Sequence, residues 1–168
     1  HDGKNSFSFQ AGLYRMICEN GLVIATEEFE NYKIRHMGYD FETLQGVIKD
    51  MIANLDLTVE SMNKMKATEL TEEQTLDFAK QLLETRVAGS KNKFGDEAIA
   101  DILTPQRKQD KGNGLWEVFN RVQENIVEGN FQYLTPGGKL RQARPIKNFR
   151  QDMNINAKMY EQALTFAA

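Results

Sequence analysis

Residues 113–129, NGLWEVFNRVQENIVEG, decide the fold. Their apolar residues recur at intervals of three and four, which predicts an amphipathic α-helix with one buried face. These residues are Leu115, Val118, Phe119, Val122 and Ile126. Asn113 is a favourable N-cap and Gly129 is favourable just after a helix, so the sequence predicts both ends of this helix.

A second stripe on the same helix is largely polar and holds the only tryptophan of the chain. It consists of Trp116, Asn120, Gln123 and Val127, with Arg121 and Glu124 beside it. In one interpretation the stripe is the edge of a half-buried helix whose amides hydrogen-bond to a neighbouring segment. In the other it is a binding surface on which Trp116 stacks against a ligand. The pattern favours the first interpretation and leaves the second open.

The N-terminal part of the chain predicts strands. Residues 6–9 and 31–37 alternate polar and apolar side chains, which is typical of a half-buried strand. The segments Leu13–Cys18 and Leu22–Thr26 can supply partners. We therefore expect a small N-terminal antiparallel β-sheet within residues 1–39.

The remainder, residues 40–168, predicts helices. Apolar residues repeat at helical spacing over residues 41–67 and 71–87, and Thr71 to Gln74 matches a capping box, so these two helices should form a long hairpin. A short helix over 95–103, a turn at Pro136 to Gly138 and a helix over 152–167 follow. With Lys139 this turn is interpreted as a hairpin turn, because no helix follows it. The expected fold is α+β, mostly α-helical, and a single domain over residues 1–168.

The amino-acid composition indicates the cellular compartment in which the protein is expected. Cys18 is the only cysteine, which excludes an internal disulfide and a cysteine-based zinc site. No stretch is apolar for long enough to cross a bilayer, and no signal peptide is visible. The sequence therefore predicts a soluble, cytoplasmic protein.

Charge is distributed unevenly along the chain. Residues 40–106 carry a net charge of −6 and residues 107–150 a net charge of +5, and from Lys139 to Arg150 five positive charges occur without a negative one. Either the two segments face each other in the fold, or the basic one binds an anionic partner. Phe131, Tyr133 and Phe149 are interleaved with the basic residues and suit stacking on unpaired bases. The candidate nucleic-acid-binding residues are Arg35, Trp116, Arg121, Lys139, Arg141, Arg144, Lys147 and Arg150.

No pattern in the sequence indicates catalysis. A nucleophile elbow and both phosphate-binding glycine motifs are absent from it. His1 and His36 are the only histidines, and neither has carboxylates at ligand spacing, so we expect no metal and no cofactor. A hydrolase using His1, Asp2 and His36 is the least favoured interpretation, and an activity without catalysis is favoured.

Four blocks of the sequence carry a family resemblance. They are HDGKNSFSFQAGLYRMICENGLV at 1–23, the Arg-His pair of KIRHMG at 33–38, LTPQRKQDKGNGLWEVFNRVQENIVEG at 103–129 and RQARPIKN at 141–148. Together they resemble the YfjQ/YafZ-type family of prophage and plasmid proteins, a domain of unknown function. The resemblance implies a bacterial protein of a phage or mobile element, with this chain as its C-terminal portion. Further motif positions of unknown role are Asp2, Gly3, Arg15, Asn20, His36, Asn120, Gln123 and Glu124.

Two hypotheses for the function follow. The first is a non-enzymatic protein that binds or anneals single-stranded DNA through basic and aromatic side chains. The alternative is a protein-interaction module, such as an inhibitor of a host defence or restriction enzyme, whose working surface is the acidic hairpin at residues 69–84. An exposed sheet edge would favour self-association, and the sequence leaves the oligomeric state open.

Overall fold

A computed structural model describes residues 6–8, 33–35, 45–46, 49, 57, 59–88 and 90–167. The chain forms two compact units, His1–Ser61 and Met62–Ala168. The single domain over residues 1–168 stays a prediction.

The first unit contains one antiparallel strand pair among its described residues. Strands β1 (Ser6–Ser8) and β2 (Lys33–Arg35) pair with Phe7 opposite Ile34. Residues 45–46, 49, 57 and 59–61 are helical. The strands expected at 13–18 and 22–26, and most of the helix expected over 41–67, lie outside the described residues.

The second unit is built from helices and one β-hairpin. After helical residues 62–67 come α1 (Glu72–Val87), α2 (Asp96–Leu103), a 3₁₀ turn (Lys108–Asp110) and α3 (Leu115–Glu128). Strands β3 (Gln132–Leu134) and β4 (Leu140–Gln142) follow, and α4 (Phe149–Phe166) closes the unit. Helix α1 packs against the other three helices, and α3 contacts α1, α2 and α4.

Local signals in the sequence explain several helix ends. The capping box is confirmed, because the Thr71 hydroxyl accepts from the Gln74 N–H at 3.2 Å and the Gln74 side chain accepts from the Thr71 N–H at 2.9 Å. Gly129 ends α3 at φ 73°, a left-handed conformation that glycine adopts without strain. The predicted N-cap of α3 is wrong by one residue: Gly114 is the N-cap, and the Asn113 carbonyl accepts from the Leu70 N–H at 3.1 Å.

The apolar face of α3 forms the centre of the core, as the spacing predicts. All five of its predicted apolar residues have no exposed surface, namely Leu115, Val118, Phe119, Val122 and Ile126. Phe78, Leu82 and Leu83 of α1 and Met159 of α4 are also fully enclosed. Burial of such side chains contributes about 1.5–3 kcal/mol each, so these contacts dominate the stability of the unit.

The predicted fold, which confines the β structure to a small N-terminal sheet, is wrong, although β1 and β2 do pair in that segment. Strands β3 and β4 form a two-stranded antiparallel sheet at residues 132–142, which confirms the hairpin turn at Pro136 to Lys139, but the sequence predicted no sheet there. Both strands have three residues, and most of their side chains are exposed, so they lack the apolar alternation that marks a half-buried strand. The broad α+β class stands, with helices predominant.

Candidate nucleic-acid interface

Two stretches that the fold brings together carry positive charge without any acidic residue. Residues 85–95 contain Arg86, Lys91 and Lys93, and residues 129–151 contain the five cations that the sequence singled out. We call these eight residues the basic surface: Arg86, Lys91, Lys93, Lys139, Arg141, Arg144, Lys147 and Arg150.

Backbone contacts bring the two stretches together. Lys93 and Leu134 form an antiparallel bridge, with N–H to carbonyl distances of 2.9 Å and 2.7 Å. The Arg86 guanidinium donates to the carbonyl of Arg144 at 2.9 Å. The first stretch therefore lies beside the β-hairpin and the segment that follows it, and their charges add at one place.

The turn of the hairpin is held by its own backbone. Gly138, at φ 74°, donates to the Thr135 carbonyl at 2.8 Å, and Thr135 donates to the Lys139 carbonyl at 2.9 Å. Residues directly opposite in the hairpin share a face. Tyr133 and Arg141 thus lie on one face, whereas Leu134 and Leu140 lie on the other with Lys93.

The segment after β4 is fixed across the C-terminal end of α3. Ala143 donates to the Phe131 carbonyl and Ile146 to the Val127 carbonyl, each at 2.9 Å. Gly129 permits this approach, because a Cβ there would lie 2.8 Å from the Arg144 carbonyl carbon. Arg144 and its neighbours are therefore presented from an ordered backbone.

Exposure and pairing favour an anion-binding role for this surface. Lys139, Arg141, Arg144, Lys147 and Arg150 are all exposed. Among the residues that the structure describes, no carboxylate forms an ion pair with any of these five. Arg86 is half-buried, and burial lowers the pKa of its guanidinium, partly offset by Tyr133. An arginine remains charged after such a shift.

The aromatic residues of the basic segment differ in access. Phe149, the first residue of α4, is 56% exposed, and Tyr133 is half-buried. Phe131 is buried and packs in the core. Phe149 is thus the aromatic ring of this segment that is most accessible to an unpaired base.

The polar stripe of α3 is buried. Trp116 is only 1% exposed, with its ring stacked on Phe119 at 6.1 Å between centroids, so it presents no free face to a base. Gln123 donates to the Asn156 side chain at 2.9 Å, and Asn120 donates to the Trp116 carbonyl. This arrangement corresponds to the interpretation in which the amides hydrogen-bond to a neighbouring segment.

Arg121 and Glu124 hold the loop that precedes α3. Arg121 is buried and donates to the carbonyls of Asp110 at 3.1 Å and Gly112 at 2.6 Å. Burial lowers the pKa of Arg121, and the charges of Asp110 and Glu117 oppose that shift. Glu124 pairs with Arg107 at 2.8 Å. These contacts give Arg121 and Glu124 a structural role and separate them from the basic surface.

For the other residues that the sequence predicted, the structure gives either a position in a strand or no description. Arg35 lies in β2. The remaining motif residues, Asp2, Gly3, Arg15, Asn20 and His36, lie outside the described residues. Within the described part of the chain, no group of three or more His, Cys, Asp or Glu side chains is placed to hold a metal ion.

Sequence reasoning missed Arg86, Lys91 and Lys93 as members of the surface. The only sequence signal for these three residues is that 85–95 contains no acidic residue. The later basic stretch shares this feature. The contact between the stretches joins residues 41 positions apart, from Lys93 to Leu134, which no local pattern indicates.

The fold and this surface define an α+β protein that carries a cationic surface, built from two acid-free stretches, on a helical scaffold. The chain belongs to the family described as Domain of unknown function (DUF932), whose model matches residues 1–160. It is similar to two Escherichia coli K12 proteins. UPF0380 protein YafZ is 28% identical over 97% of this chain, and UPF0380 protein YfjQ is 27% identical over 98%.

The chain spans 58% of the length of the first relative and 59% of the second. No solved structure matches the chain significantly. Among the described residues, no helix combines the length and the apolar character needed to cross a membrane.

Proposed function

We propose that this chain binds single-stranded nucleic acid, DNA in the first instance, through the basic surface and brings strands together for annealing. The observation that carries the proposal is the junction of two acid-free stretches with eight cations between them. Cations that neutralise phosphates release counterions, which supplies affinity without sequence recognition.

Phe149 favours single strands over a duplex. Its exposed ring lies in the chain between Lys147 and Arg150, so phosphate and base contacts can form together. Stacking of a base on an aromatic ring contributes about 1–3 kcal/mol, and bases are available for it only when unpaired. The mechanism is phosphate neutralisation with stacking, and it involves no chemical step.

The test is fluorescence anisotropy with labelled single-stranded and duplex oligonucleotides over a range of salt concentrations. Replacing Arg141, Arg144, Lys147 and Arg150 by Ala should reduce the salt slope for a single strand by about 3, since each contact contributes about 0.7. The matched control removes four exposed lysines elsewhere, Lys66, Lys108, Lys111 and Lys158. Equal affinity of the wild type and of the variant that lacks these four basic residues would refute the proposal.

Phe149→Ala tests the preference for single strands separately. The variant should lose about 5-fold to 100-fold in affinity for the single strand, the equivalent of one stacked base, and little for the duplex. Its charge is unchanged, so its salt slope should equal that of the wild type. An equal loss for both oligonucleotides would remove stacking from the mechanism.

The resemblance to prophage and plasmid proteins supports a setting for this activity. We propose that the protein acts in the cytoplasm of a bacterial host on behalf of a phage or other mobile element. Fractionation of cells that express the native gene should recover it in the cytoplasmic fraction, and recovery in another fraction would contradict this setting.

A second candidate function is supported by exposed acidic residues in α1 and just before it. Glu69, Glu72, Glu73, Asp77 and Glu84 are all exposed. Such a surface suits a protein-interaction module that captures a basic host enzyme of defence or restriction. Charge reversal within residues 69–84 should then abolish capture of the partner while leaving oligonucleotide affinity intact.

A further inference from the structure

An open apolar groove lies between α1 and α2. Leu76 of α1 lines it opposite Ile99, Ala100 and Leu103 of α2, and its volume is about 530 Å³. Leu76 is 47% exposed, so a large apolar side chain stands in solvent at this groove. Isolated exposed leucines are common, but a leucine in a concave apolar site favours an occupant.

The rim of the groove is predominantly acidic. Asp77 and Asp96 line it with Lys80 as the one basic residue of the lining. The two helices that form the groove together carry seven acidic residues and two basic ones. The occupant should therefore combine apolar side chains with positive charge.

The same chain carries a surface of that chemistry on its hairpin. Leu134 is 42% exposed and Leu140 is 58% exposed, and these two face the same way beside Lys93. Lys139 and Arg141 flank Leu140, and no acidic residue occurs between 129 and 151. We call Lys93, Leu134 and Leu140 the leucine row. The leucine row and the groove belong to the same unit of the chain.

We propose that the groove between α1 and α2 binds the leucine row of a second copy of this chain. The apolar floor takes Leu134 and Leu140, and the acidic rim faces Lys93. A contact between two different surfaces of one protein closes into a reciprocal dimer or a ring, or extends as a filament. The contact uses the face of the hairpin opposite Tyr133 and Arg141, and it shares only Lys93 with the basic surface.

The contact should be weak and sensitive to salt. A groove that takes two leucines is smaller than a standard stable interface, so we expect a dissociation constant on the order of 10 µM. Opposite charges at its exposed rim are screened as ionic strength rises, so the constant should increase at high salt.

Sedimentation velocity of the wild type over ~1–200 µM tests the association, with three variants. Leu140→Asp alters the leucine row and Leu76→Asp alters the groove, and each should weaken association at least tenfold. Leu57→Asp changes an exposed leucine outside both surfaces and should associate as the wild type does. Because both altered residues are exposed, the variants should retain the wild-type circular dichroism spectrum.

Mixing the two weakened variants provides the decisive step. Leu140→Asp retains an intact groove and Leu76→Asp retains an intact leucine row, so their mixture should form a 1:1 dimer at concentrations where each variant alone is monomeric. A monomeric wild type at ~200 µM, an unweakened variant or a mixture that stays monomeric would each overturn the proposal. Leu76→Asp, which lies outside the basic surface, should keep its oligonucleotide affinity within about threefold, which separates this outcome from failure of the proposed function.

Discussion

Asn125→Ala should destabilise the second unit strongly, because this side chain holds the loop that precedes α3. Asn125 is fully buried, and its amide donates to the carbonyls of Ile102 at 3.0 Å and Thr104 at 2.8 Å. Its oxygen accepts from Gln106 at 3.2 Å and from Asn130 at 2.9 Å. One side chain thereby connects the end of α2, the loop and Asn130, which lies just beyond the end of α3.

The magnitude depends on which partners regain hydrogen bonds from water. Gln106 and Asn130 are exposed and can do so, whereas the Ile102 carbonyl belongs to a buried residue at the end of α2. A buried group left unsatisfied costs about 1–3 kcal/mol, and Thr104 is accessible enough to reduce its share. We expect a loss of about 3 kcal/mol, which is large against a typical total of 5–15 kcal/mol.

Urea unfolding followed by circular dichroism measures this loss. With a slope of about 2 kcal/mol/M, the midpoint should fall by about 1.5 M. Asn154→Ala is the control, because Asn154 is exposed on α4, and its midpoint should remain near that of the wild type. A change of less than about 0.5 kcal/mol for Asn125→Ala would show that the network does not hold the loop.

Three further changes test other parts of the structure. Gly129→Ala forces φ 73° on alanine and places its Cβ 2.8 Å from Arg144 backbone, so the free energy of unfolding should fall by at least about 2 kcal/mol. Thr71→Ala removes the capping box of α1 and should cost about 1 kcal/mol in the same urea assay, with equal stability contradicting the cap. Burial raises the pKa of Asp152, opposed by the Asn156 hydrogen bond, so its ionised form is disfavoured in the folded state. The contribution of Asp152 to stability should therefore fall as pH rises from about 3.9 through the folded pKa, so wild type should lose stability relative to Asp152→Asn over this range. Identical pH profiles for the two proteins would contradict it.

The sequence predicts those features of the fold that depend on nearby residues. The apolar face of α3 and the cap at Thr71 follow from intervals of three or four residues, and both agree with the structure. The spacing does not reveal which neighbour covers the second stripe of α3. Gln123 is buried because Asn156, which lies 33 residues later, packs over it.

Local sequence patterns also fail to predict the strands of the hairpin and three members of the basic surface. Strands β3 and β4 are short and exposed, so their sequences QYL and LRQ lack an apolar rhythm. Their position is set by backbone bonds to Lys93 and Phe131, and these bonds do not depend on side-chain type. The sequence therefore indicates five of the eight basic residues, and the fold adds the other three.

The central claim is that residues 85–95 and 129–151 act as one surface toward nucleic acid. Its most direct test is the salt dependence of single-strand binding by a Lys91→Ala, Lys93→Ala double variant, measured by anisotropy beside the Lys108→Ala, Lys111→Ala control. The double variant should retain binding with a slope reduced by about 1.4, the equivalent of two lost phosphate contacts, and the control should keep the wild-type slope. A wild-type slope for the Lys91 and Lys93 variant would show that the two stretches do not act together.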